Sequence, residues 1–368
     1  MLRLIFLLIA LVGLGSPSLA QSNDDSKKCT AELERNDFDL AIDYCTAAIQ
    51  SGDLSDQALA VLFNNRGLAY ANKTDYDHAI EDYNHALSLG LKDSDSFYRR
   101  GLVYFQKNDF SSAIRDFDEA LKLNPDNVAI LQRRGWAYEN KNDYEQAIRD
   151  YDRAISLQSN NGPALVRRAK VHEAQRQYEQ ALADFEAATH ADPKFASDRA
   201  MGFVFFYLGR MTQSAEMFET YLKSNPNDTW VILFRYLAEA KIGNALAAAR
   251  DLEVDSLKLP ERRWPAPIID FHLGRIDEKA MFAAANDPDP KMKNEKTCAA
   301  NFHAGESRLF RAQVTAAIPL LRAAEKDCPS DFYEFHGAAA ERKRLGQYPY
   351  PPKPKAAGNN RLASLPLN

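Results

Sequence analysis

Four cysteines, seven histidines and a recurring set of arginines and aspartates are the residues of this chain whose types and spacing could do chemistry. The cysteines stand as two separate pairs, Cys29 with Cys45 and Cys298 with Cys328, with no Cys-x-x-Cys spacing and no adjoining His pair. Oxidation to disulfides therefore fits them better than metal ligation, with buried thiols as the alternative. The histidines are scattered. His78 and His85 share a helical face seven residues apart, wider than the i, i+4 pair of metal sites, and His303 with Glu306 reads as solvated surface. No His-Glu-x-x-His, Gly-x-Ser-x-Gly, phosphate-binding loop or dinucleotide fingerprint occurs. The expected chemistry is binding, not catalysis, with no cofactor and no metal.

The elements that must position these residues are helical. Of 368 residues, 45% are apolar and 26% charged, which excludes disorder and a polytopic membrane protein. Just 16 glycines are present and no proline occurs from Gln21 to Asn124, so long helices are allowed and a turn-dense β architecture is not. Met1-Leu2-Arg3, the apolar run Leu4 to Leu14 and the small residues before Ala20 read as a secretory signal cut after Ala20. The run is too short to span a bilayer, so we expect an exported, soluble protein without stable membrane insertion, periplasmic if the source is bacterial. Residues 1–20 hold one Arg and no acid, so cleavage moves the net charge from −5 to −6 and gives no basis for nucleic-acid binding.

Self-comparison shows four aligned segments beginning at Arg66, Arg100, Arg134 and Arg168, each 34 residues after the last. The first reads RGLAYANKTDYDHAIEDYNHAL and the third RGWAYENKNDYEQAIRDYDRAI. With each unit numbered 1 to 34, position 8 is Gly67, Gly101, Gly135 and Ala169, and position 20 is Ala79, Ala113, Ala147 and Ala181. This length and pattern resembles the tetratricopeptide repeat (TPR) family, in which small residues let two antiparallel helices approach closely. The resemblance implies an all-α, right-handed TPR α-solenoid of antiparallel helix pairs with a C-terminal capping helix. We divide the chain into a signal peptide over 1–20, a tandem array over 22–228, an irregular helical segment over 229–297, a degenerate repeat plus capping helix over 298–346, and a Pro-rich disordered tail over 347–368.

Position 7 is Arg66, Arg100, Arg134 and Arg168, and position 23 is Asp82, Asp116, Asp150 and Asp184. In the unit from 195 the two become Met201 and Met217, and in the unit from 298 Ala304 and Leu320. That joint loss predicts structural ion pairs between the two helices of a unit, since a lone buried charge is costly and an apolar pair is not. An anion-binding Arg stripe would not require the Asp to vanish with the Arg. Cys29 and Cys45 fall at positions 8 and 24, and Cys298 and Cys328 at positions 1 and 31. Each pair thus lies level across an antiparallel hairpin, which predicts disulfides Cys29–Cys45 and Cys298–Cys328.

Positions 5, 9 and 12 share one side of the first helix, the side that lines the concave face of TPR solenoids. They supply Asn64 and Leu68; Tyr98, Leu102 and Phe105; Gln132, Trp136 and Glu139; and Lys170. Aromatic anchors among amide and charged groups suit a groove for extended peptide or a partner helix. Packing of these aromatics against the neighbouring first helix is the alternative. The pattern lacks the Lys and Asn pair of the two-carboxylate clamp found in chaperone-binding TPR domains.

From Trp264 and from Cys298, the segments WPAPIIDFHLGRI and CAANFHAGESRLFRAQVTAAIPLLRAAEKDCPSDFYEFHGAAAERKRLG are similar to the corresponding stretch of the NlpI family of bacterial envelope TPR lipoproteins. That resemblance implies a scaffold or adaptor that binds other envelope proteins, presents cell-wall enzymes and is able to form a homodimer. The lipidated cysteine of those proteins is absent here, with Gln21 standing at the new N-terminus. A dedicated accessory subunit of a secretion, pilus or polysaccharide-export machine is the second expectation.

Overall fold

The computed structural model describes residues 17–52, 54–259 and 263–346, and among these it is helical with no strand. The expected signal peptide and the Pro-rich tail lie outside the described residues, apart from Pro17 to Ala20, which open the first helix. No helix among the described residues is long and apolar enough to cross a membrane. The chain forms two compact units that meet in sequence at Lys141 and Asn142, inside the span expected to be one array.

The first unit contains α1 (Pro17–Glu34), α2 (Phe38–Gln50), α3 (Asp56–Asn72), α4 (Tyr76–Ser88), α5 (Ser94–Gln106), α6 (Phe110–Leu123) and α7 (Val128–Asn140). Its hairpins turn by one device. Asn36, Thr74 and Asn108 adopt left-handed backbone near φ 60°, which ends the first helix. The next residue, Asp37, Asp75 or Asp109, accepts a hydrogen bond from an N–H of the second helix, at Leu40, His78 or Ser112. Close approach follows from the small residues. A Cβ on Gly101 would stand 2.7 Å from Phe117 Cε1, and Ala79 and Ala113 are fully buried.

The second unit begins with α8 (Tyr144–Leu157), α9 (Gly162–Ala174), α10 (Tyr178–Ala191), α11 (Asp198–Leu208) and α12 (Met211–Ser224). It continues with α13 (Thr229–Lys241), α14 (Ala245–Lys258), α15 (Ala266–His272), α16 (Glu278–Ala284), α17 (Pro290–Phe310), α18 (Val314–Asp327) and α19 (Tyr333–Arg344). The segment expected to be irregular holds a further regular hairpin. Gly243 between α13 and α14 is left-handed, like Gly209 between α11 and α12 and Ala312 between α17 and α18. The short α15 starts at Ala266, directly after Pro265. The first helix of the last repeat starts at Pro290, eight residues before the expected boundary, where Asp289 caps it and Pro at N1 gives up no needed hydrogen bond. Phe203, Phe206, Phe218, Phe234 and Phe302 form the centre of this unit, and α19 covers the end by packing on α11, α17 and α18.

Candidate functional site

Within each compact unit the structure brings together Arg66 with Asp82, Arg100 with Asp116 and Arg168 with Asp184. Arg66 reaches Asp82 with Nη2 at 2.7 Å, and Arg100 reaches Asp116 and Arg168 reaches Asp184 at 2.6 Å each, every one a two-pronged contact. Such fork geometry is what guanidinium offers and ammonium does not. The Asp82 bond raises the Arg66 pKa against the opposing effect of burial. Arg134 lies in the first unit, where it bonds Asp118 at 2.7 Å, and Asp150 is buried in the second.

Sequence reasoning missed the second bond of each arginine. Arg66 Nη1 donates to Thr46 at 3.0 Å, Arg100 Nη1 to Asn84 at 2.6 Å and Arg168 Nη1 to Asp152 at 2.5 Å. Asn84, Asp118 and Asp152 each lie 16 residues before their arginine, so each guanidinium reaches the preceding helix through the same repeat position, and those of Arg100 and Arg168 tie their own hairpins as well. The signal was present at position 25 as Asn84, Asp118 and Asp152, two residues after the paired aspartate.

The cysteines are joined as Cys29–Cys45 and Cys298–Cys328, and all four are fully buried. His303 and Glu306 are also fully buried, which corrects their reading as solvated surface. Burial holds His303 well below its ordinary pKa, and its Nδ1 lies 3.0 Å from His272 Nε2. Glu306 lies 2.7 Å from Lys241, whose ammonium also meets Glu341 at 2.9 Å. Glu306 is thus part of an internal charge network in the second unit. Among the described residues no group of three or more His, Cys, Asp or Glu is placed to hold a metal ion.

In the first unit the first helices α3, α5 and α7 touch in succession and present one face. Asn64, Leu68, Tyr98, Leu102, Gln132 and Trp136 are half-buried on it. Phe105 and Glu139 are buried, so they belong to the packing and not to a contact surface. Phe105 is held between Phe110 and Trp136, with ring centroids 5.3 and 4.8 Å away, because consecutive first helices interdigitate at that level. The Tyr98 ring tilts against Phe117 at 5.9 Å. Oδ1 of Asn64 is buried and accepts no hydrogen bond.

The face continues towards α1 as a cleft of about 410 Å³ lined by Asn23, Ser26, Thr30, Val61 and Asn65 among others. Val61 is 43% exposed there, while Asn65 donates to Thr30 at 3.4 Å. Sequence reasoning stopped one unit short of it, although Ser26 and Thr30 hold positions 5 and 9 of the unit from 22. At the matching positions of the second unit, Lys170 is half-buried. Nearby, burial pushes the Glu173 carboxyl up to about 7 against the pull of Lys170.

The class of protein is defined by these features: repeated helix pairs with small residues at the crossings and left-handed turns between them. The tetratricopeptide repeat family model matches residues 64–128, 98–163 and 162–229, so this span carries TPR repeats. A tetratricopeptide repeat protein from Parabacteroides merdae ATCC 43184 has the same fold, with a TM-score of 0.50 at 17% identity over 69% of this chain and 98% of that one. Weaker similarity extends to YrrB, described as a TPR protein with an unusual peptide-binding site, with a TM-score of 0.42 at 18% identity over 48% of this chain and 92% of that one. MamA from Desulfovibrio magneticus RS-1 gives 0.44 at 17% identity over 50% of this chain and all of its own.

Proposed function

We propose that this chain is a non-catalytic, protein-binding scaffold or adaptor of the bacterial cell envelope, one that presents or coordinates cell-wall or envelope-maintenance enzymes. One observation carries the binding role: the row of half-buried amide, leucine and aromatic side chains along α3, α5 and α7, continuous with the cleft beside α1. An extended peptide needs backbone hydrogen-bond partners at intervals and apolar seats between them. Asn64, Asn65 and Gln132 supply the first, and Leu68, Leu102 and Trp136 the second.

The envelope assignment rests on the export address read in residues 1–20, on the buried disulfides, which persist in oxidising compartments, and on the resemblance of the C-terminal part to the NlpI family. Fractionation of the cells that make it, followed by purification of the native chain after mild crosslinking, tests this reading. We expect it in the periplasmic fraction with several substoichiometric envelope proteins. Recovery from the cytosol overturns the location, and recovery in one fixed stoichiometric complex favours the accessory-subunit reading.

A further inference from the structure

The second unit holds an open cavity of about 340 Å³ that has no part in the face described above. Its walls include the half-buried rings of Trp230 and Trp264, with Phe332 and Tyr333. Three carboxylates, Glu295, Asp331 and Glu334, and two cations, Arg199 and Lys296, also line it.

The cations are already committed. Arg199 Nε lies 2.8 Å from Asp228 and its Nη1 donates to the Tyr333 hydroxyl, while Lys296 Nζ lies 2.6 Å from Asp287. Glu334 is in the opposite position. It is 2% exposed, and its Oε1 is buried without a hydrogen-bond partner. A buried carboxylate oxygen with no donor is costly unless something supplies one. Burial pushes this carboxyl up to about 7 against the opposing pull of its own backbone N–H, and neither cation of the wall is among the groups that lower it.

We propose that this cavity binds an organic cation, a protonated primary alkylamine, with its ammonium on Glu334 and its stem between the aromatic walls. Indole faces attract cations, and the carboxylate supplies the charge-assisted hydrogen bond that fixes the ammonium end. The size suits a small ligand or one side chain. The same chemistry is offered by a free amine and by a lysine side chain of another protein. The rival role for Glu334 is structural, since it sits in the first turn of α19, whose N-cap Phe332 makes no side-chain cap bond.

Titration calorimetry on the purified full chain separates these possibilities with the matched set n-butylammonium, n-butanol and n-butyrate. We expect butylammonium to bind, with butanol and butyrate weaker by about tenfold, the size of one charge-assisted hydrogen bond. Glu334→Gln keeps an acceptor for the helix end and removes the charge, so it is expected to cost the cation about tenfold with the melting temperature little changed. Equal binding of butanol, preference for butyrate, or no binding of butylammonium overturns the proposal using the native protein, whether or not the variant folds. An unchanged affinity in a folded Glu334→Gln variant overturns it as well. Acetyl-Gly-Lys-Gly-amide against its norleucine counterpart then identifies the source. A lysine-selective response indicates a protein partner, and a response to the free amine without one to the peptide indicates a small molecule.

Discussion

Cys29 and Cys45 stand at the two repeat positions that Gly101 and Phe117 fill two hairpins later, so a covalent bond replaces a glycine-to-aromatic contact at the crossing of α1 and α2. The Cα atoms are 5.0 Å apart and both side chains are fully buried. Removing the bond frees a 16-residue loop in the unfolded chain, so Cys29→Ser with Cys45→Ser is expected to cost about 3 kcal/mol. Cys29→Gly with Cys45→Phe restores the contact used elsewhere and is expected to cost less. Urea unfolding with and without reductant checks this; a native protein indifferent to reduction contradicts it.

The Arg100 and Asp116 pair predicts strong non-additivity. Their side chains are 19% and 6% exposed, and Arg100 has a further bond to Asn84. Asp116→Ala leaves the guanidinium without its carboxylate and is expected to cost about 3 kcal/mol. Arg100→Met with Asp116→Met copies what the chain itself does at Met201 and Met217, and is expected to cost less than Asp116→Ala alone. A double-mutant cycle reads the coupling. Additive losses would show that the two residues act independently.

Two single substitutions near the turns and crossings should move stability in opposite directions. Alanine is favoured over glycine in a helix by about 1 kcal/mol, but at Gly101 the added carbon meets the Phe117 ring at 2.7 Å, so Gly101→Ala is expected to destabilise by about 1–3 kcal/mol. Thr74 holds φ 61°, a conformation a β-branched residue adopts at a cost, so Thr74→Gly is expected to stabilise by up to about 1 kcal/mol. Thermal melts of the two variants decide both signs.

Acid sensitivity follows from the buried histidines of the second unit. Burial holds His303 and His336 far below the ordinary value of 6.5, His336 at about 3. Unfolded histidines take up protons first, so this stabilisation is complete above pH 6.5 and is lost as pH falls towards about 3. Glu173 and Glu334 oppose it, because carboxyls raised to about 7 from 4.5 gain protons in the folded state between those values. The urea midpoint should therefore change little between pH 6.5 and 4.5 and fall steeply below 4.5, with His336→Gln reducing the steep part. A midpoint that rises below pH 4.5 contradicts this balance.

The hairpins could be read from the sequence because a 34-residue period repeats every structural constraint at a fixed place: glycine at the crossing, aspartate at the cap, arginine facing aspartate. Where one residue must serve two neighbours the period says less, and the bonds from Arg100 to Asn84 and Arg168 to Asp152 went unread. The α13–α14 segment was legible as helix but not as a regular repeat, because Tyr236 stands at position 8, where a small residue marks the other units, although Gly243 keeps the turn. The cavity at Glu334 was illegible for a different reason. Arg199, Trp230, Trp264, Lys296 and Glu334 come from five separate stretches of chain, and no spacing rule connects them.

The central claim is that the face of α3, α5 and α7 holds other proteins, and site-specific photo-crosslinking in the cell tests it most directly. A photoreactive residue at half-buried Leu102 on α5 is compared with one at exposed Glu81 on α4, and the adducts are identified by mass spectrometry. The account predicts discrete adducts with envelope enzymes from Leu102 that Glu81 does not give. The same background from both positions would contradict it.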